Sequence, residues 1–338
     1  MPSQNETSRS ILVTGGCGFI GSNLILRLLQ THPDWHITNV DSLTYAGDPD
    51  NVRDAEESSR YDFRRVDITD RSAVRDLMRG VAPDGVFHLA AETHVDNSIR
   101  GPEQFVLTNV VGTFNLLEEA RQLWSEGLPG RFLHVSTDEV YGSIKTDVDS
   151  FTEESSYQPN SPYSASKAGS DHLVRSYHQT YGMNVVTTNC SNNFGPRQHR
   201  EKLIPTVIAT ALARQPIPVY GQGLNVRDWL YVRDHCNALD LVFLEGMPGE
   251  TYLIGGRNER QNIDLVRMIC SILDHMVDDL PDGGFASLIT FVTDRPGHDL
   301  RYAVDPSRIE RELGWKPEAS FDAALQETVA WYLENEKV

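Results

Sequence analysis

The sequence is poor in cysteine and has no long apolar run. Among its 338 residues the four cysteines, Cys17, Cys190, Cys236 and Cys270, lie far apart, with no C-x-x-C pair. That spacing excludes a disulfide framework and the usual zinc-ligand pattern, and leaves four reduced thiols of a cytoplasmic protein as the expectation. No stretch reaches the ~18 consecutive apolar residues of a spanning helix, so no membrane partner is expected. The first nine residues read as a polar, disordered leader without the apolar centre of a signal peptide. Positive charge is scarce as well: Lys and Arg total 30 against 48 Asp and Glu, a net charge of −18. Such a field repels phosphate backbones and anionic lipid, which argues against nucleic acid as a partner. An anionic substrate would therefore need a local cluster of basic groups. No internal repeat or low-complexity linker interrupts the chain.

What the sequence does have is strand-helix alternation. Ser10–Thr14 reads as a strand, followed by Gly15-Gly-Cys-Gly18-Phe19-Ile20-Gly21 and an amphipathic run from Ser22 to Thr31. Strand, glycine turn and helix in that order form the context of a dinucleotide-binding turn, here spaced G-x-x-G-x-x-G. The glycines let the backbone turn tightly and approach a pyrophosphate, whose charge then faces the helix N-terminus. The next strand, Trp35–Val40, ends at Asp41, about twenty residues past Gly21. A carboxylate there accepts hydrogen bonds from ribose hydroxyls and repels a 2′-phosphate, so NAD is favoured over NADP. Ser42, Leu43 and Thr44 are assigned to the same cofactor stretch. A third strand, Tyr61–Val66, ends at Asp67 and Ile68, placed for the adenine edge. Gly85–Leu89 runs into Ala90 and Ala91, small enough for a ligand to pass close to the backbone. Residues 102–126 read as one long helix with apolar positions at 106, 110, 114, 117 and 120; Thr108, beside Asn109 on another face, is assigned to the cofactor. This alternation predicts an α/β fold, a Rossmann-like doubly wound parallel sheet over 10–190 to which 226–248 returns. A smaller mixed α/β substrate domain is expected from 191–225 and 249–335.

The apolar run Arg131–Val135 reads as a strand ending at Ser136, with Thr137, Asp138 and Glu139 directly after it. In an open α/β sheet, ligands bind at the carboxyl ends of strands, so these residues are expected at the mouth of a crevice. Downstream, Tyr163 and Lys167 are i and i+4 on a helix through Tyr181 and share a face. The ammonium is expected to lower the phenol pKa and make a tyrosinate base available near neutral pH. Alone, adjacent carboxylates are usually a solvated pair, and Tyr–Lys pairs are common on helix surfaces. Together behind a dinucleotide turn they form a candidate catalytic set.

The motifs TGGCGFIGS, LAAETHVDNSI, STDEVYG, Tyr163-x-x-x-Lys167, NCSNNFGPRQHREKLIP, NVRDWLYV and DRPGHDLRY resemble the extended short-chain dehydrogenase/reductases that act on nucleotide sugars, over residues 10–335. The Thr-Asp-Glu triplet resembles their 4,6-dehydratase branch; related epimerases typically have non-acidic residues where Asp138 and Glu139 stand. The resemblance implies a hydro-lyase of deoxysugar biosynthesis that converts dTDP-glucose to its 4-keto-6-deoxy product with NAD. Tyr163, helped by Lys167, would take the 4-hydroxyl proton while hydride leaves C4, and Thr137 would hydrogen-bond the C4 oxygen. Glu139 would remove the C5 proton and a protonated Asp138 would donate to the departing C6 hydroxyl. Like-charge proximity helps to keep one of these two carboxyls neutral.

By the same resemblance, Thr93 and Asn192 would hold the sugar diphosphate, Asn193 the cofactor, and Lys202 and Leu203 the nucleotide side. Pro218, Val219 and Tyr220 would flank the base, with Asn262 close by. Arg227, Arg295 and His298 would meet the diphosphate and supply the local positive charge, and Asp294, Pro296 and Gly297 would belong to the same substrate site. A homodimer through 102–126 and 163–181 is implied too. Three features depart from the family's pattern: Arg233 where Glu is frequent, the basic Arg197-Gln-His-Arg200, and Cys17 inside the glycine turn. Three other readings compete. A UDP- or CDP-sugar dehydratase would use the same triad, although Glu92 resembles the dTDP enzymes more than UDP-glucose homologues. A nucleotide-sugar 4-epimerase has no need of Asp138 and Glu139, and an NAD-binding redox sensor gains nothing from the complete set.

Overall fold

Consecutive apolar residues on the early strands enter different cores: Leu12, Val86, Phe132 and Val185 face one, and Val13, Phe87, Leu133 and Val186 the other. Side chains alternate across a strand, so such runs mark a sheet covered on both faces, as parallel sheets are. The computed structural model describes residues 8–125, 127, 130–144, 149–294 and 299–335. Its strands in chain order are β1 (Arg9–Thr14), β2 (Trp35–Asp41), β3 (Tyr61–Arg65), β4 (Gly85–His88), β5 (Arg131–Thr137) and β6 (Val185–Cys190). They continue with β7 (Asn192–Phe194), β8 (Ile217–Tyr220), β9 (Val226–Tyr231), β10 (Thr251–Ile254), β11 (Glu259–Gln261) and β12 (Ile289–Val292).

The large sheet is parallel, in the order β10-β6-β5-β4-β1-β2-β3. The chain runs outward from β1 through β2 and β3, then crosses back to place β4 on the other side of β1. That reversal opens a crevice at the carboxyl ends of β1 and β4, where open α/β sheets bind ligands. The smaller layer holds a sheet β11-β9-β7 and a parallel pair β12-β8. Helix Val232–Glu245 lies against helix Phe19–Thr31: Asp240 meets His32 at 2.8 Å and Arg27 at 3.5 Å, and Phe243 stacks on Phe87.

Two expectations are corrected here. The smaller domain was to resume at 249, yet β10 pairs with β6 as the outermost strand of the large sheet. Four residues, Thr251–Ile254, are too short to announce which sheet they join; only the exposed edge of β6 decides it. The expected single helix over 102–126 is interrupted by a π-helical stretch, Val106–Gly112, before Thr113–Ser125. An extra residue per turn rotates the buried face. Phe105, Asn109, Gly112, Leu116 and Leu117 point inward, whereas Val106 is half exposed.

Candidate active site

Each wall of the crevice begins where a strand of the large sheet ends. After β1 the backbone turns at Gly15, with φ +73°. A Cβ at Gly15 would lie 2.7 Å from the Ala90 backbone nitrogen at the end of β4, so only glycine lets these two strand ends approach. Helix Phe19–Thr31 starts at Gly18 with no side-chain cap. Its first N–H groups therefore remain available to an anion. At the end of β2, Asp41 accepts the Cys17 N–H at 3.0 Å and the Leu43 N–H at 2.8 Å, which holds the carboxylate at the rim of the glycine turn. Burial raises its pKa despite these bonds.

The ends of β5 and β6 supply the reactive wall. The Thr137 hydroxyl accepts the Glu139 N–H at 3.3 Å and donates to Asp138 Oδ1 at 3.3 Å, turning the chain so that all three side chains reach the cavity. Asp138 is only 2% exposed, and its Oδ2 has no hydrogen-bond partner among the described residues. Burial, then the charges of Glu139 and Asp228, push its pKa well above the carboxylate range. That direction favours the protonated form of Asp138.

Tyr163 and Lys167 come from helix Pro162–Tyr181. Its start is set locally: Ser161 Oγ accepts the Ser164 N–H at 3.1 Å, Ser164 Oγ accepts the Ser161 N–H at 3.0 Å, and Pro162 occupies the first turn. Gly182, in the left-handed region, ends it. The Lys167 charge is not among the leading influences on the Tyr163 phenol. Burial, followed by the Glu139 charge, holds Tyr163 well above its usual value, with only the Thr137 hydrogen bond among the leading causes opposing them. The Lys167 ammonium is directed instead to the Val135 carbonyl, at 2.8 Å.

The expected cofactor residues Gly15, Gly18, Phe19, Ile20, Gly21, Asp41, Ser42, Thr44, Asp67, Ile68, Leu89, Ala90, Ala91, Thr108 and Asn193 line one continuous cavity. Thr93, Thr137, Asp138, Glu139, Tyr163, Lys167, Asn192 and Lys202 line it too. Leu43 does not; it packs on the core and contributes its N–H to Asp41. Among the other expected substrate residues, Leu203, Pro218, Val219, Tyr220, Arg227, Asn262 and Asp294 are not part of this wall. Leu203 opens a helix that packs on the core, and Pro218–Tyr220 run along β8 beside β12. Arg227 is buried, donating to the carbonyls of Val226 and Asp299 beneath the Tyr302 ring. Arg295, Pro296, Gly297 and His298 lie outside the described residues.

Sequence reasoning missed several neighbours. Glu92, Gln104, Ser136, Cys190, Gln198 and Glu201 also line the cavity. Asn109, turned inward by the π-helical stretch, donates to the Glu92 carbonyl at 3.0 Å and to Ser166 Oγ at 2.8 Å, and accepts the Glu92 N–H at 2.9 Å. It pins the Ala91–Thr93 segment to the helix that carries Tyr163. An asparagine at a helical position is a faint signal for that clamp, because the period of an ordinary helix places it elsewhere. The departures are absorbed locally: Arg233 meets Glu327 at 2.5 Å, and Arg197 donates to the Asn51 carbonyl at 3.1 Å.

A dinucleotide fits these residues. The glycine cradle leaves no room for a Cβ, the helix start is uncapped, and Asn192 Oδ1 is buried without a partner among the described residues. Among the described residues no cluster of His, Cys, Asp or Glu is arranged to hold a metal ion, and no helix is long and apolar enough to cross a membrane.

The comparisons with known proteins agree with this geometry. The family model described as GDP-mannose 4,6 dehydratase matches residues 12–328. A dTDP-glucose 4,6-dehydratase of Escherichia coli is 52% identical over 342 residues, covering 97% of this chain and 94% of that protein. A crystal structure of the dTDP-glucose 4,6-dehydratase DesIV from Streptomyces venezuelae, with NAD bound, superposes with a TM-score of 0.89 at 46% identity, covering 96% of this chain and 97% of that one. A UDP-glucose 4-epimerase from Thermotoga maritima has a TM-score of 0.85 at 26% identity, covering 96% and 99%. The chain belongs to the GDP-mannose 4,6 dehydratase family, with the Rossmann-like fold of the extended short-chain dehydrogenase/reductases.

Proposed function

We infer that the protein is a hydro-lyase that converts dTDP-glucose to dTDP-4-keto-6-deoxyglucose with NAD. The observation that carries this reading is Asp138, buried in the same cavity as Tyr163 and the glycine turn, unpartnered at Oδ2 among the described residues and pushed well above the carboxylate range by burial. A 4-epimerase sharing the fold has no step that uses a proton donor there. The thymidine base follows from relatives named dTDP-glucose 4,6-dehydratase at about half identity over almost the whole chain.

Held by the glycine turn and Asp41, NAD would supply the hydride acceptor and donor for C4 and C6 and a positive ring charge that opposes the cost of a buried tyrosinate. Tyr163 accepts the 4-hydroxyl proton, and the Thr137 hydroxyl holds the C4 oxygen in place. The new ketone acidifies the C5 hydrogen, which the Glu139 carboxylate removes. Asp138 donates its proton to the C6 oxygen as that bond breaks, and water leaves. The two carboxyls divide the work because burial and mutual repulsion keep Asp138 protonated. Glu139 later returns its proton to C5; Tyr163 releases the proton it took from the 4-hydroxyl and Asp138 takes one up, so the net proton count is restored for the next cycle. Arg227, with Arg295 and His298, is assigned to the substrate diphosphate.

The protein is further assigned a cytoplasmic location and a homodimeric state. The second rests on the exposed apolar side chains of Val106, Leu107, Val111 and Tyr181, which lie on the segments where such enzymes pair. The direct test of the activity is mass spectrometry of dTDP-glucose incubated with the protein and no added reductant. Loss of one water with NAD unchanged overall is expected, and UDP- and CDP-glucose should convert more slowly. Conversion without a mass change would replace this reading with an epimerase.

A further inference from the structure

Behind the reactive wall, outside the cavity, lies a fully buried carboxylate with no step of its own. Asp171 sits one turn after Lys167 on the same helix, 4% exposed. It collects four hydrogen bonds. His134 Nε2 lies 3.1 Å from Oδ1, while Ser136 Oγ, the Tyr157 hydroxyl and Asn189 Nδ2 donate to Oδ2 at 2.9, 2.9 and 3.1 Å. Two of these donors, His134 and Ser136, flank Val135, whose carbonyl accepts the Lys167 ammonium at 2.8 Å. A third, Asn189, also donates to the Thr137 carbonyl at 3.0 Å. One carboxylate thus ties the strand on both sides of the lysine's anchor and, through Asn189, the start of the catalytic triplet.

Resting on the dehydratase reading, we propose that Asp171 is a positioning residue: its carboxylate holds the Val135 carbonyl that orients Lys167 and supplies the buried counter-charge for that ammonium. The neighbours leave it no rival among the described groups facing it. From β4, His88 is held neutral between Thr14 and Thr113, and from β5, His134 is pushed down to about 4, mainly by burial. From β6, Cys190 is pushed up to about 12, and Tyr141 and Tyr157 from the loop side are raised, again mainly by burial. Asp171 itself stays ionised, because its hydrogen bonds and the nearby positive charge outweigh burial. Burial lowers Lys167 to about 8, and the Asp171 charge is the leading influence that holds it up. The sign is therefore defined. Without that charge the ammonium loses its proton at lower pH, and the alkaline limb of activity moves down.

The test is the pH dependence of kcat for the full chain with NAD and dTDP-glucose, comparing wild type, Asp171→Asn and Asp171→Glu. Asp171→Asn should move the alkaline limb to lower pH by on the order of one unit, the smaller end of what a neighbouring opposite charge contributes. Asp171→Glu should leave the limb in place while lowering kcat. A uniform loss in Asp171→Asn with the limb unmoved would overturn the proposal and leave Asp171 a structural hub. Should Asp171→Asn not fold, the double variant Ser136→Ala/Tyr157→Phe removes two neutral donors and leaves the charge less compensated. Its limb should then move to higher pH, and a limb that stays or falls would overturn the proposal. Wild-type turnover separates the two levels: if wild type converts no dTDP-glucose, the dehydratase reading fails, whereas an unmoved limb in an active enzyme removes only the role of Asp171.

Discussion

Asp138→Asn separates the two halves of the proposed reaction. The amide keeps the size and one acceptor of the carboxyl but cannot give up a proton to a leaving hydroxyl. A positioned general acid contributes about 10²–10⁴-fold, or roughly 2.7–5.5 kcal/mol at 1.36 kcal/mol per tenfold. Loss of water should slow by that factor. The first oxidation, which uses Tyr163 and Thr137, should persist, so that reduced nicotinamide accumulates after mixing with dTDP-glucose. Stopped-flow absorbance of the reduced cofactor and mass spectrometry of the sugar read the two steps separately. Equal loss of both would refute the role of Asp138 as the acid.

The same substitution carries a stability prediction of opposite sign. Asp138 is raised well above the carboxylate range in the folded protein, chiefly by burial, so above the unfolded value the folded state binds a proton that the unfolded state has lost. Its contribution is fully present below about pH 4 and falls as pH rises, by about 1.4 kcal/mol for each pH unit until the folded value is reached. Asparagine has no proton to bind. The variant should therefore melt higher than wild type at pH 7 and alike below pH 4, by calorimetry across that range. A variant that melts lower at pH 7 would mean that the carboxyl is ionised in the folded state.

Two further outcomes follow from the geometry. Gly15→Ala places a Cβ 2.7 Å from the Ala90 nitrogen in a left-handed conformation. It should cost about 1–2 kcal/mol from the backbone alone and weaken NAD binding at least tenfold by titration, whereas unchanged affinity would show that the cofactor does not run over this turn. Leu107→Asp, on the exposed face of the π-helical stretch, should convert a dimer to monomers in analytical ultracentrifugation; a monomeric wild type would remove the proposed assembly.

Most of the strand-helix frame was legible because it rests on local rules. Apolar runs bounded by glycine or aspartate gave β1 and β2, and the helix that carries Tyr163 was read to within one residue of its start at Pro162. The reactive triplet was legible for the same reason, since it directly follows a strand whose end faces the crevice. The π-helical stretch was not, because one extra residue in a turn leaves no mark in composition. Asn109 therefore reads as outside the apolar face although it is buried. The relation between Lys167 and Tyr163 was only half legible, for a different reason. Sequence spacing puts them on one face, but the ammonium's direction depends on the Val135 carbonyl of a strand about thirty residues away.

Alone, the sequence determined the order of strands and helices, the glycine turn, NAD as the cofactor, and the residue types of the candidate catalytic set. These follow from neighbours within a few positions, where periodicity and capping act. Only the tertiary structure decided how deeply Asp138 is buried, where the lysine's charge is anchored, and which donors gather around Asp171. Burial and counter-charge belong to segments that meet only when β5, β6 and the Pro162–Tyr181 helix pack together, and no local rule reaches across that distance.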